Sequence, residues 1–175
     1  MSIEALNWPQ CPERLDGIVL ILLDLPHEMP REEARLMARA VVKNAVARLL
    51  RKNEITLIET SAGPRISEGI HVSLSYAMGK ALIGLSSGSP LGVDIVRIAS
   101  IPEARDLTGL YLPPCSKDAD FELNWARMEA CCKALNLPLA EIDEAREKAY
   151  SSCNLPECRQ IEGYRMAVAF PAKSS

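Results

Sequence analysis

Residues 70–77, "IHVSLSYA", set Ile70, Val72, Leu74 and Tyr76 against His71, Ser73 and Ser75. A strict two-residue alternation suits a half-buried strand and is incompatible with a helix. Gly79 follows as a turn, then an apolar strand around 81–85, then a second turn at Gly88-Ser89-Pro90, then "LGVDIVRI". This order predicts a three-stranded antiparallel meander over 70–98. One residue fits it poorly. Asp94 stands in the middle of an apolar run, and a buried carboxylate is costly unless a cation, hydrogen-bond donors or a metal stands beside it. Its partner has to come from another part of the chain.

Upstream, "GIVLILLD" (17–24) reads as a buried strand. Pro30 suits the first helical turn, and Glu32 and Glu33 suit the positive end of a helix. The helix they start is expected over 31–52. Ala38, Val42, Ala45, Val46 and Leu49 form its apolar stripe. Arg31, Arg35, Arg39 and Lys43 recur every four residues as a basic stripe, which is either a solvated face or an anion site. A short strand is expected at 55–60, and a loop turning at Gly63-Pro64 over 61–69. Downstream come a short helix near 102–107 and a helix over 119–136, capped by Asp118 or Asp120 and ended by Asn136. A further helix is expected over 139–151 and a strand or tight hairpin at 160–170. Such an order of helices and antiparallel strands is an α+β pattern.

A chain of 175 residues, 48% apolar, makes one domain or two small packed halves. Its net charge of −3 argues against general nucleic-acid affinity. No 18-residue apolar run exists, and "MSIEALNWPQ" lacks a basic region, so a cytoplasmic location with no membrane contact is expected. The six cysteines then read as reduced thiols. Cys153 and Cys158, with only His27 and His71 elsewhere, make a poor zinc clip.

Trp125, Glu129 and Lys133, at i, i+4 and i+8, share one helix face. On spacing alone Glu129 and Lys133 form a helix-stabilising pair worth about 0.2–0.5 kcal/mol, and Trp125 is a core residue. Combined with Asp94, the basic stripe and a Gly-Pro-Arg loop, they are the parts of a magnesium–phosphate site. Magnesium takes oxygen ligands, often one or two carboxylates plus substrate phosphates, while arginine forks clamp phosphate oxygens.

"HVSLSYAMGKA", "PLGVDIVRI" and "WARMEACCKALNLPL" resemble, in order and spacing, the three signatures of the 4′-phosphopantetheinyl transferases, and the terminal "GYRMAVAF" resembles the closing strand of that family. The likeness runs loosely over residues 30–170. It implies two similar small α/β halves, 1–98 and a shortened 99–175 carrying the Trp-x-x-x-Glu helix, with the site between them in one compact unit. The implied reaction moves 4′-phosphopantetheine from coenzyme A to a serine hydroxyl of an acyl or peptidyl carrier protein. It needs magnesium and releases adenosine 3′,5′-bisphosphate. By the same resemblance Asp94 and Glu129 are metal ligands, Glu129 is also a candidate base, and Lys133 contacts phosphate. Arg39 meets coenzyme A, Gly63 and Pro64 lie at the adenine nucleotide, and Ser73, Ser75 and Tyr76 hold the nucleotide phosphates.

Four positions depart from that pattern. Tyr76 stands where a histidine is usual. Gly63 stands near the usual loop lysine, with Arg65 as a substitute. Met128 replaces a frequent basic residue, and Val96 replaces a second strand acid. The alternatives are a non-catalytic coenzyme A or carrier-protein binding relative, and an unrelated α/β domain. A monomer is expected, with a dimer as the alternative. An acidic carrier would dock beside basic side chains, with Arg31, Arg35, Arg48, Arg51 and Lys52 as candidates.

Overall fold

The computed structural model describes residues 2–60, 63–99, 103–113 and 120–172. Strand β2 (Ile18–Asp24) is apolar on both faces, so both must be covered. It lies inside a six-stranded sheet ordered β1 (Ala5–Asn7), β2, β6 (Lys80–Ser86), β5 (His71–Ala77), β4 (Gly63–Ile66) and β3 (Leu57–Thr60). A second sheet is ordered β7 (Gly92–Arg97), β9 (Tyr164–Pro171) and β8 (Cys153–Asn154). The helices are α1 (Arg31–Leu50), α2 (Ala104–Tyr111), α3 (Phe121–Leu135) and α4 (Glu144–Ser151).

Side-chain alternation sorts these elements into four layers. Val19, Ile21 and Leu23 of β2 and Ala81, Ile83 and Leu85 of β6 pack with the apolar stripe of α1. The opposite faces, through Leu20, Leu22 and Leu82, meet Val93 and Ile95 of β7 and Met166 and Val168 of β9. The outer face of the second sheet, with Ala167 and Ala169, packs under α3. The result is a mixed α+β fold layered helix, sheet, sheet, helix.

Most expected elements form, with shifted ends. α1 stops at Leu50 because Arg51 turns left-handed (φ 52°). Asp120 caps α3 by accepting a hydrogen bond from the Leu123 N–H at 3.1 Å, and Asn136 ends it at φ 55°. Asp118 lies outside the described residues. α4 starts only at Glu144, where the Asp143 side chain accepts from the Arg146 N–H. The expected closing strand is β9, entered by a turn with Gly163 at φ 76°.

Two expectations fail. The meander does not close: β5 and β6 pair, but β7 leaves and pairs antiparallel with β9. Both edges of β6 are already taken, one by β5 and the other by β2, so a third partner has no open edge. The expected loop at 61–69 contains β4, which pairs with β3 along its length and with β5 at Arg65↔His71. Gly63-Pro64 signalled a loop, but burial of Ile66 and pairing on both sides outweigh it. The short strands β1 and β8 were not anticipated.

Candidate functional site

Gly92 sets the position of the site. A Cβ built there would lie 1.9 Å from the Ala130 carbonyl oxygen and 2.6 Å from the Ala134 N. Only glycine lets β7 lie directly on the backbone of α3. This close approach brings the short side chain of Asp94 within reach of Lys133. Lys133 Nζ donates to Asp94 Oδ1 at 2.6 Å and to the Val93 carbonyl oxygen at 3.1 Å. Ser75 Oγ donates to the same Oδ1 at 2.6 Å.

β5 crosses beside the free edge of β7, and its two buried serines stand in for a neighbouring strand. Ser73 Oγ accepts from the Val93 N–H at 3.0 Å, and Ser75 Oγ accepts from the Ile95 N–H at 3.3 Å. The polar side of the alternating "HVSLSYA" run therefore satisfies the edge of β7. Buried backbone donors are nearly always paired, and here side chains supply the pairing.

Asp94 and Lys133 lie in a cleft of about 780 Å³. Arg31, Arg35 and Arg39 of α1 line it, as do Glu59 of β3, Gly63 and Pro64 of β4, and Ser73, Ser75 and Tyr76 of β5. Asp94 and Arg97 of β7 and Trp125, Glu129 and Lys133 of α3 complete it. The sequence-expected site residues thus converge from five elements, with one exception. Arg65 is exposed on β4 and does not line the cleft.

Five cationic side chains and three carboxylates face this space, a local balance of 5 − 3 = +2 inside a chain of net charge −3. Burial pushes the Asp94 carboxyl above its ordinary range, and Lys133 and Ser75 pull it back only in part. Burial also raises Glu129, and the nearby Asp94 charge adds to the shift. Glu129 forms no ion pair and takes no hydrogen bond from any described residue. The helix pair expected between Glu129 and Lys133 is thus replaced by an ion pair from Lys133 to Asp94 of β7.

Arg39 is held at the cleft wall by a two-pronged ion pair with Glu59, at 2.5 and 3.1 Å. That hydrogen bond holds the Glu59 carboxyl below its usual value. Arg35 pairs with Glu32 at 2.6 Å. Trp125 both lines the cleft and packs in the core, 5.8 Å from the Tyr111 ring and 5.7 Å from the Phe121 ring. Of the carrier-docking candidates, Arg48 lies over the Trp8 ring at 5.0 Å and Lys52 pairs with Glu68 at 3.0 Å, away from the cleft.

Sequence reasoning missed Glu59 and Arg97. Glu59 lies 20 residues from Arg39, on a different element, so no local spacing links them. Arg97 ends the "LGVDIVR" strand and carries no pattern of its own.

The carboxylates of Asp94 and Glu129 offer hard oxygen donors of the kind magnesium accepts. No group of three metal-ligating side chains occurs among the described residues. These two carboxylates could supply two ligands to a magnesium ion, with the others left to phosphate and water. No described helix is long and apolar enough to cross a membrane. Compared with protein-family models and with curated proteins, the chain gives no match.

Proposed function

We propose that this protein is a 4′-phosphopantetheinyl transferase-like enzyme built as two small α/β halves around the cleft. It would act in the cytoplasm, moving 4′-phosphopantetheine from coenzyme A to a carrier-protein serine. One observation carries the reading. Asp94, Glu129 and Lys133, drawn from two separate sequence signatures, meet in one cleft that Arg31, Arg35 and Arg39 of α1 also line. That stripe is the anion-binding alternative raised by the sequence, and the excess of cations lining the cleft supports it.

Phosphoryl transfer depends mostly on positioning and charge neutralisation. Arg31, Arg35 and Arg39 offer guanidinium forks to a diphosphate lying along the cleft. Asp94 and Glu129 would hold magnesium, which when bound neutralises phosphate charge and polarises the phosphorus. Glu129, without an ion-pair or hydrogen-bond partner among the described residues and with its pKa raised by burial, is suited to take the serine proton as the serine oxygen attacks. The bond from phosphorus to the bridging oxygen then breaks, and Lys133 neutralises the adenosine 3′,5′-bisphosphate that leaves.

A second reading, a coenzyme A or carrier-protein binding relative without catalysis, has its own support. Three of the expected anion contacts are engaged internally, Arg35 by Glu32, Arg39 by Glu59 and Lys133 by Asp94. Labelled coenzyme A, magnesium and a panel of apo carrier proteins separate the two. Transferred label that drops by about 10²-fold or more in Asp94→Ala and Glu129→Ala is the expected result. Saturable coenzyme A binding with no transfer to any carrier favours the second reading.

A further inference from the structure

Lys133 and a divalent cation compete for the same carboxylate. Asp94 is only 6% exposed, and its Oδ1 already receives the Lys133 ammonium and the Ser75 hydroxyl, each at 2.6 Å. A metal on either oxygen of that carboxylate would stand close beside an ammonium, an arrangement that charge repulsion opposes. Of the other two carboxylates lining the cleft, Glu59 is tied to Arg39, which leaves Glu129, and Val96 supplies no second strand acid. Metal alone therefore meets two carboxylates, one of them blocked.

The two partners of this ion pair differ in freedom. Asp94 sits on a paired strand and is fixed. The Lys133 side chain is 31% exposed and lines a cleft with net positive lining. It can swing toward an anion there, and Asp94 cannot follow.

We infer that Lys133 is a place-holding cation: a diphosphate in the cleft draws its ammonium off Asp94, and only then does the carboxylate open to a divalent metal. Diphosphate and metal then bind cooperatively, each raising the affinity of the other by the same factor. In the resting protein the ammonium also compensates the buried carboxylate, whose exposure to an apolar surrounding without a partner is costly. This inference rests on reading the cleft as a cation–phosphate site, and it does not depend on which group is transferred.

Two measurements test it. Manganese binding to the full chain, followed by calorimetry without any phosphate present, should be about tenfold tighter in Lys133→Met than in wild type. The gain should vanish in the Asp94→Asn, Lys133→Met double variant. A thermal melt checks that each variant is folded. Independently, wild-type protein carrying ¹³Cε-labelled lysine is titrated with inorganic pyrophosphate in the presence of a chelator. The Lys133 resonance, assigned by its loss in Lys133→Met, should shift. Manganese affinity in a folded Lys133→Met no tighter than wild type, or a Lys133 resonance that pyrophosphate leaves in place, overturns the inference. Transfer to a carrier protein without the Lys133→Met gain leaves the proposed function standing and removes the place-holder. The gain without transfer to any carrier does the reverse.

Discussion

The two main helices lie on their sheets in different ways. α1 is held off the first sheet by branched side chains, with Val41, Val42, Val46 and Leu49 meeting Ile21, Ile83 and Leu85. α3 lies almost on the second sheet, through Ala126, Ala130 and Ala134 against Gly92, Ala167 and Ala169. The first interface is packed for stability, and its helix sends long arginines sideways to reach the cleft. The second brings two backbones together, so a side chain as short as aspartate can touch a lysine from the helix. Distance between layers thus decides which residue types can serve the site from each side.

Substitutions that change these distances should separate the two interfaces. Gly92→Ala should have the largest effect, a loss of about 3 kcal/mol from overpacking against the α3 backbone. Because β7 and α3 must part, it should also separate Asp94 from Lys133. Urea denaturation together with the lysine resonance would show both, and a near-neutral Gly92→Ala would mean that the close approach is dispensable. In the first interface, Ile21→Val removes one methylene from a well-filled layer and should cost about 1 kcal/mol. The Lys133 resonance should stay unchanged, since that layer does not position the pair.

The two helices also differ in the residue that ends each. Both helices close the same way, with a left-handed residue whose N–H, like that of the next residue, bonds back to the last turn. Asparagine tolerates that conformation and arginine does so at a cost. Arg51→Gly should therefore stabilise the protein by about 0.5 kcal/mol, the relief of strain less the added freedom of the unfolded chain. Asn136→Gly should change little. Equal shifts in denaturation midpoint for the two would remove this distinction.

The smallest expected effect is the pH dependence of the Arg39–Glu59 pair. Arg39 lowers the Glu59 pKa in the folded protein. The pair therefore adds stability above the ordinary glutamate value of 4.5, and that stability is lost as pH falls through the lowered folded value. Glu59→Gln should melt slightly below wild type at pH 7, and the gap should close at acid pH. A gap that widens on acidification would reverse the assignment.

Much of the fold was legible because its causes are local. The alternation of 70–77, the apolar stripe of α1, an aspartate cap at 118 or 120 and Asn136 as the end of α3 each depend on residues within a few positions of one another. The shared face of Trp125, Glu129 and Lys133 was legible for the same reason. The pairing of β7 was not, because it depends on a competition in which β2 had already taken the open edge of β6. Ser73 and Ser75 looked like one polar face of a strand. Their bonds to β7 become visible only once that strand lies beside them.

By itself, the sequence determined that a carboxylate would be buried in a strand and that it would need a partner, since the apolar run around Asp94 leaves no other reading. Tertiary structure decided which partner. Lys133, 39 residues away, reaches Asp94 because a glycine removes the spacer between strand and helix. Periodicity assigns a residue to a face, whereas contact across layers depends on how closely two backbones approach. That distance is set by side chains on both elements together, and no single stretch of the chain encodes it.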